Sequence, residues 1–470
     1  MGWGVGRVKL NSERCDDSQD EDDERLWVVM VPHVLVGELV RVRIFRNQRS
    51  YSEADLLEVV KASPNRVQPK CSLAGICGGC QYQHMSIEAQ RDWKTKHVQE
   101  VLLQQHIDGY STEEQVHVLP TIGTEEVYGY RSKITPHYQA PKEIDDGTKI
   151  EYRLEAIGFQ KSSNRNLVDV AECPIATDAI NEKYKETRTL LHEQALQGIL
   201  NQKKKKKRRK RGSRGGATGA TLLFRHADNE EDTGNPLVVT DNNQYMTTTV
   251  KGLKFRYLAG NFFQNNNYVL PLMVDAVVEA ATRPVINNNS VDSSASPSPP
   301  SYLIDCYCGS GLFALSASSK FKLCVGIEVN DKAAEEATAN AQLNKISNCQ
   351  FVAASAEAIF TSPPTLEVGD DDDNDVRQVK DFPREQTVVV LDPPRKGCST
   401  EFLEQLYEYS PQRIVYMSCG PATQARDAKG IVEVGGYEIV SIQPFDLFPQ
   451  TKHIVSLIVF EKKKSKTAIQ

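Results

Sequence analysis

The sequence predicts an α/β protein whose C-terminal half is a doubly wound parallel sheet, preceded by a mixed, mostly β central domain and an N-terminal β-barrel. Two observations predict the sheet. From about residue 261, strand-like apolar runs alternate with helical patterns. The run TVVVLDPP (387–394) is apolar enough for a strand buried on both faces, and RIVYMSCG (413–420) resembles it.

The N-terminal barrel is predicted from residues 1–62. The run VRVRIFR (40–46) alternates apolar and basic residues, which is typical of a strand with one buried and one wet face. Arg41, Arg43 and Arg46 would occupy the wet face, although the alternation also fits an ordinary surface strand. Because strand-like sequence begins abruptly at residue 2, we expect the barrel to lack its first few residues.

The domain boundaries follow from changes in pattern. We expect the barrel over 1–62, the central domain over 63–260 and the sheet domain over 261–470. Low-complexity insertions are predicted inside the last two, at about 201–217, 286–300 and 364–380, and they are expected to be disordered loops.

Charge is distributed unevenly along the 470 residues, whose net charge is −6. The run KKKKKRRKRGSR (203–214) is opposed by DDSQDEDDE (16–24) and DDDDND (370–375). The basic run is interpreted as a nuclear localisation signal, as a flexible segment that attracts RNA, or as a solvated insertion. No apolar run is long enough to span a membrane, and no secretory signal begins the chain. We therefore expect an intracellular protein, in the cytoplasm, the nucleus or an organelle.

Ligand-binding residues are expected where the strands end, because open α/β sheets bind ligands beyond their carboxyl edges. Tyr307 opens the loop YCGSG after one strand, and Glu328, Asp392 and Cys419 end or follow three others. An acid ending the second strand suits ribose hydroxyls. The loop is not GxGxxG, which favours S-adenosylmethionine over a nicotinamide cofactor because the former needs no pyrophosphate cradle.

Three cysteines lie within ten residues, at Cys71, Cys77 and Cys80. An intracellular setting and an odd total of eleven cysteines argue against a disulfide framework. Their spacing allows zinc, with His84 as an alternative ligand, and it also allows an iron–sulfur cluster or plain buried thiols.

Five motifs together resemble one known family. GNFFQNN, DCYCGSGLF, LDPPRKG, YMSCGPATQARD and FPQTKH resemble motifs of the RNA uracil-5-methyltransferases and occur in the order that the family has. The resemblance implies a Rossmann-like class I methyltransferase domain that binds S-adenosylmethionine, and an N-terminal TRAM domain, an OB-like barrel that binds RNA. Cys71, Cys77, Cys80 and Cys173 resemble the iron–sulfur branch, which implies that they hold a [4Fe–4S] cluster.

The resemblance also implies individual roles. Cys419 would be the nucleophile that adds to C6 of uracil, and the donor-binding residues would be Gln264, Tyr307, Glu328 and Asp392. C5 of uracil is too weak a nucleophile to take a methyl group unaided, so a thiolate must first add to C6. Phe263 is a candidate for stacking on the base, although an aromatic residue at such a position is more commonly part of the core.

One position departs from the family. The segment FPQTKHIV has Val455 where the family has the glutamate that removes the C5 proton, and valine cannot accept a proton. His453 is the candidate replacement. The sequence therefore predicts an RNA (uracil-5-)-methyltransferase that acts on tRNA or rRNA and is expected to be a monomer. It leaves open an RNA-binding, RNA-folding protein with impaired catalysis.

Overall fold

The structure is a computed structural model that describes residues 3–8, 26–110, 116–145, 147–200, 219–228, 237–284, 298–359, 365–370 and 373–463. The basic run 203–214, the acidic run 16–24 and most of the insertion at 286–300 lie outside these ranges. The predictions made for them stay predictions.

The secondary structure alternates as the sequence predicts. The helices are Ile87–Leu103, Asp178–Leu196, Leu270–Thr282, Leu312–Ala317, Asp331–Leu343, Thr400–Tyr409 and Pro421–Glu433. The first four strands are β1 (Trp3–Val8), β2 (Trp27–Pro32), β3 (Leu39–Asn47) and β4 (Tyr51–Lys61). Short strands follow at β5 (Lys133–Ile134), β6 (His137–Tyr138), β7 (Lys142–Asp145), β8 (Ile150–Arg153), β9 (Ile157–Gln160), β10 (Leu167–Asp169), β11 (Ala220–Thr221), β12 (Phe224–Ala227), β13 (Leu237–Val239), β14 (Tyr245–Val250) and β15 (Leu253–Leu258).

The remaining strands belong to the C-terminal half of the chain. They are β16 (Tyr302–Cys306), β17 (Leu323–Glu328), β18 (Cys349–Ala353), β19 (Thr365–Asp370), β20 (Asp373–Gln378), β21 (Thr387–Leu391), β22 (Arg413–Ser418), β23 (Tyr437–Phe445) and β24 (Val455–Lys462).

The chain forms two compact units. The first contains residues 1–90, 156–170 and 449–452, and the second contains 91–155, 171–448 and 453–470.

The first unit contains a four-stranded sheet in the order β1-β2-β4-β3. Its buried core is small, with Val29, Val31 and Ala54 at the centre. The predicted wet face is present, and its arginines pair with acids on the neighbouring strand: Arg41 with Glu58, Arg43 with Asp55 and Arg46 with Glu53. Closure of this sheet into a barrel stays a prediction.

The second unit is built on a seven-stranded sheet in the order β18-β17-β16-β21-β22-β24-β23. Neighbours from β18 through β22 run parallel, as predicted. All residues of β21 and β22 are buried, because helices cover both faces of the sheet and only apolar strands tolerate that position.

One edge of this sheet departs from the all-parallel prediction. β24 pairs antiparallel with both β22 and β23. Only nine residues, 446–454, join β23 to β24. A parallel crossover needs a dozen or more residues, so this short connection permits only an antiparallel neighbour.

The segment 364–380 also departs from its prediction. It was expected to be a disordered acidic insertion, but β19 and β20 pair antiparallel across it. Leu366 is buried in the hydrophobic core of the second unit, which anchors the hairpin despite its acidic composition.

In the described ranges, no helix combines the length and the apolar character that crossing a bilayer requires.

Candidate functional site

A cavity of about 700 Å³ opens at the carboxyl edge of the parallel strands. From β16 the chain builds outward through β17 to β18, and it then returns to add β21 on the other side of β16, so the direction of winding reverses between β16 and β21. Crevices at such reversal points are the usual ligand sites of open α/β sheets. The cavity brings together most of the residues singled out from the sequence: Gln264, Tyr307, Glu328, Asp392, Cys419 and Val455.

The glycine loop after β16 brings backbone to the cavity wall. Tyr307 has φ +64°, a left-handed conformation that is uncommon for a bulky residue. Gly309 lines the cavity with φ +55°, and a Cβ there would have no neighbour within 4 Å, so a ligand can approach its backbone closely. Gly311 serves packing instead, because a Cβ would lie 2.9 Å from Cζ of Phe351.

Glu328 stands at the end of β17, where the sequence places a ribose-binding acid. Its Oε2 accepts a hydrogen bond from the Gly309 amide at 3.0 Å, and its Oε1 accepts one from the Asn330 amide at 2.9 Å. These bonds fix the orientation of the carboxylate. Beside it, Ile327 and Val329 supply an apolar wall, and Val329 is 71% exposed.

Asp392 follows β21 directly and is half-buried. Its carboxylate accepts no hydrogen bond from any described residue of the chain. Burial raises the pKa of Asp392 to about 7, because desolvation disfavours the charged form. The side chain is therefore close to half-protonated at neutral pH.

Cys419 follows β22, the strand next to β21, and is half-buried. Burial raises the pKa of its thiol, and the nearby Asp392 carboxylate adds to that effect. Arg395 acts in the opposite direction, through a hydrogen bond and its positive charge. Arg395 thus partly offsets the effect of burial and is the nearby cation that stabilises the thiolate, the nucleophilic form.

The position that departs from the family also belongs to the cavity. Val455 is 3% exposed and lines the wall at the start of β24, next to β22. His453 is not among the residues that line the cavity. The centroid of its ring lies 6.0 Å from that of Phe448, which does line the cavity.

Two adjacent phenylalanines, Phe262 and Phe263, have opposite environments. Phe263, the stacking candidate, is 4% exposed and stacks on Tyr257 with ring centroids 4.4 Å apart, so it is a core residue. Phe262 is 75% exposed and lines the cavity. The sequence pattern FF carries no signal for which ring turns inward, and Phe262 was missed.

Two cations hold the loop that carries Phe262 and Gln264. The guanidinium of Arg225 donates to the carbonyl oxygens of Ala259, Asn261 and Phe263 at 2.7–3.2 Å. Lys133 lies directly opposite Arg225 in the β5–β12 pair, and its Nζ is 3.3 Å from the carbonyl oxygens of Gly260 and Asn261. Burial, followed by the charges of Arg225 and Arg131, lowers the pKa of Lys133 to about 8.

A buried ion pair anchors the other side of the cavity. Nζ of Lys94 lies 2.5 Å from Oδ1 of Asp446, and both side chains are fully buried. The same ammonium donates to the carbonyl oxygen of Phe448 at 3.1 Å, which fixes the backbone of that lining residue. Neither Lys94 nor Asp446 stood out in the sequence, because their separation of 352 residues gives no local signal.

The four cysteines expected to hold a metal are divided between the two units. Cys71, Cys77 and Cys80 lie in the first unit and Cys173 in the second, and all four are half-buried. The Cys71 amide donates to Oε1 of Gln83 at 3.0 Å, and a Cβ on Gly79 would lie 3.6 Å from Sγ of Cys77. Burial raises the pKa of Cys77, and the neighbouring Cys71 raises it further.

These thiols are the donor set that zinc or an iron–sulfur cluster prefers. Within the described ranges, no group of three or more His, Cys, Asp or Glu side chains is placed to hold a metal ion. No step of the chemistry below depends on a metal.

Comparisons with known proteins agree with this geometry. The family model described as tRNA (Uracil-5-)-methyltransferase matches residues 237–463. The chain is 35% identical over 466 residues to a tRNA (uracil(54)-C(5))-methyltransferase of Schizosaccharomyces pombe, covering 98% of this chain and 76% of that protein. It is 27% identical to the protein of the same description from Saccharomyces cerevisiae, covering 94% and 70%.

A solved structure shares the whole fold. The Pyrococcus abyssi tRNA (uracil-54, C5)-methyltransferase, in complex with S-adenosyl-L-homocysteine, matches with a TM-score of 0.62 over 97% of this chain and 100% of that one, at 19% identity. The similarity to the two fungal proteins extends over nearly the full chain. The range that the family model matches includes Glu328, Asp392 and Cys419. The chain belongs to the tRNA (uracil-5-)-methyltransferase family.

Proposed function

We propose that this enzyme transfers the methyl group of S-adenosylmethionine to C5 of a uracil in tRNA, through a covalent bond between Cys419 and C6. The observation that carries the proposal is that Cys419 and the residues expected to hold the donor line one cavity. The fungal relatives named as tRNA methyltransferases favour tRNA over rRNA. A uridine in folded RNA would have to be flipped out of its stack to enter.

The residues on one side of the cavity fit the methyl donor. The volume of about 700 Å³ is within the usual range for small-molecule sites. The open Gly309 backbone would accept close approach of the donor, the oriented Glu328 carboxylate would bind its ribose hydroxyls, and Val329 would pack against its adenine. Gln264 and Tyr307 complete this wall. Bound there, the donor supplies an electrophilic methyl group.

On the other side, Cys419 starts the reaction. Its thiolate, favoured by Arg395, adds to C6 of the uracil, and the electron pair moves to C5 and O4. C5 then becomes nucleophilic enough to attack the methyl carbon. The exposed ring of Phe262 at the cavity wall is suited to stacking on the base. Loss of the C5 proton finally allows the thiolate to leave.

The experiment compares Cys419→Ala with Glu328→Gln on an unmodified tRNA transcript. Cys419→Ala should abolish 5-methyluridine, measured by nucleoside mass spectrometry, and keep donor affinity, measured by calorimetry. Glu328→Gln should weaken donor binding roughly 10–100-fold, because hydrogen bonds to a charged group contribute about 1.5–3 kcal/mol. Equal loss of donor binding in both variants would contradict the assigned roles.

The alternative is an RNA-binding protein that folds RNA and turns over poorly. The observation that favours it is Val455 in the cavity wall, where the family has a proton acceptor. His453 stays the acceptor predicted from the sequence. Tight tRNA binding by the wild-type protein, with neither 5-methyluridine nor a covalent adduct, would favour this alternative.

The metal centre is a separate proposal. We infer a [4Fe–4S] cluster, with zinc as the alternative, on Cys71, Cys77, Cys80 and Cys173, supported by the four-thiol donor set and the family resemblance. Protein purified without oxygen should be brown and hold about four irons per chain. Cys173→Ser should lose iron as completely as Cys77→Ser, and colourless protein with one zinc per chain would overturn the cluster.

A further inference from the structure

We propose that Asp392 accepts the C5 proton in this enzyme, the role that Val455 cannot fill. The proposal rests on the proposed function, because it concerns the last step of that reaction. The step begins from an adduct in which C6 is bonded to Sγ of Cys419 and C5 carries both the new methyl group and its original hydrogen.

The bonds change in a balanced way. The Asp392 carboxylate takes the C5 proton, and the electron pair of the C5–H bond forms the C5=C6 double bond. The C6–S bond breaks, and its electron pair stays on Cys419 as the thiolate. The products are 5-methyluridine, a protonated Asp392 and the regenerated nucleophile, and no further reactant is needed.

Sheet topology places Asp392 beside the nucleophile. Asp392 follows β21, Cys419 follows β22, and Val455 begins β24, and these three strands are consecutive neighbours in the sheet. Adjacent strands lie about 4.8 Å apart. Asp392 and position 455 thus flank Cys419 from opposite sides, and all three line the same cavity. The C5 proton of a uracil bonded to Cys419 can therefore be reached by a side chain on either flank.

The other carboxylates of the cavity are already engaged. Glu328 accepts bonds from the amides of Gly309 and Asn330. Glu336 accepts a bond from the Leu258 amide at 3.1 Å and a pair from the side chain of Asn261.

Glu357 is engaged as well, because it accepts bonds from the hydroxyls of Ser355 and Ser399. Asp392 is the one lining carboxylate that accepts no hydrogen bond from the described residues, and its partial exposure leaves its oxygens open to the cavity. No histidine is among the described lining residues.

The chemistry of Asp392 suits a base working at neutral pH. A catalytic base is most effective when its pKa is close to the operating pH. Burial brings the pKa of Asp392 to about 7, so that an appreciable ionised fraction coexists with useful basicity. An ordinary exposed aspartate would be ionised but a much weaker base.

The test follows proton loss separately from methyl transfer. A tRNA transcript carrying tritium at C5 of its uridines is mixed with excess enzyme and saturating, carbon-14-labelled donor. Tritium released to water measures proton loss, carbon-14 in RNA measures methyl transfer, and a denaturing gel measures the covalent adduct. Wild type, Asp392→Asn, Val455→Glu and the double variant are compared, with His453→Gln alongside.

We expect Asp392→Asn to accumulate a methylated adduct whose tritium release is slowed about 10²–10⁴-fold, the usual contribution of a general base. Adding Val455→Glu to that variant should restore release and clear the adduct, because it supplies a carboxylate from the opposite flank. This rescue separates a catalytic defect from misfolding, which a glutamate at 455 would not repair.

Three outcomes would overturn the inference. Asp392→Asn could release tritium at the wild-type rate once methylated. It could stop before methyl transfer at saturating donor without rescue by Val455→Glu, which would limit Asp392 to binding. His453→Gln could instead show the methylated, slowly released adduct, which would assign the proton to His453. Absence of 5-methyluridine from the wild type would count against the proposed function and is distinguishable from all three.

Discussion

In the four-stranded sheet, charged side chains stand on the strands themselves, whereas the seven-stranded sheet keeps its charges at the strand ends. Arg41, Arg43 and Arg46 on β3 each face an acid on β4. β21 and β22 are buried throughout, and their functional residues, Asp392 and Cys419, come directly after them. Solvent on one face of a sheet permits charge along a strand, and burial on both faces leaves only the strand ends for polar chemistry.

Core truncation should give the largest difference between the two sheets. Phe402 is fully buried in the second unit, with its ring 5.8 Å from that of Tyr307. Phe402→Ala should lower the free energy of unfolding by about 3–5 kcal/mol. Val31→Ala, the control in the four-stranded sheet, removes two methyl groups and should cost about 1.6 kcal/mol at 0.8 kcal/mol per group. Hydrogen exchange resolves the two units, and equal costs would contradict the contrast in their cores.

A pH effect is expected from a buried carboxyl group in the larger sheet. Asp305, near the end of β16, is fully buried, and burial raises its pKa from 3.8 to about 8. The unfolded chain releases this proton near pH 4 and the folded protein keeps it to about pH 8. Asp305 thus lowers stability as pH rises through that window, by at most about 1.4 kcal/mol per pH unit.

Asp305→Asn is the matched variant, because it cannot ionise and keeps an oxygen for the Ala314 amide, which donates to Oδ2 at 3.0 Å. Urea unfolding at pH 5, 6, 7 and 8 should show a flatter dependence in this variant than in wild type. Parallel curves would mean that the aspartate stays ionised in the fold.

The smallest effect is expected on the four-stranded sheet. Arg43 and Asp55 form a 3.0 Å ion pair with side chains that are 67% and 48% exposed. Arg43→Gln should change the free energy of unfolding by no more than about 1 kcal/mol, because solvent screens exposed pairs. Its tRNA affinity should keep the wild-type salt dependence. A salt slope shallower by about one unit would instead show that Arg43 leaves Asp55 for a phosphate, as the RNA-binding prediction requires.

The sequence could predict the parallel strands because each is an uninterrupted apolar run. It could also predict Tyr307, Glu328, Asp392 and Cys419 as neighbours, since strand ends of one sheet meet at one edge. Local pattern carries that much information.

What escaped prediction depends on side-chain contacts that the local sequence pattern does not encode. Acidic composition concealed the hairpin of β19 and β20, which Leu366 anchors in the core. The choice between Phe262 and Phe263 is made by Tyr257, on a neighbouring strand. The Lys94–Asp446 pair joins residues that only the finished fold brings together.

Lys133, whose amine anchors the 259–263 loop, should also react more readily than other lysines with amine-selective reagents. At pH 8, with a pKa of about 8, half of the Lys133 amine is uncharged, whereas an ordinary lysine of pKa 10.5 is uncharged in only about 0.3% of molecules. Lys133 should therefore acylate ahead of the exposed lysines when a limiting dose of an amine-selective ester is added. Its labelling, read by peptide mass spectrometry, would report whether the loop holds its place as donor and RNA enter.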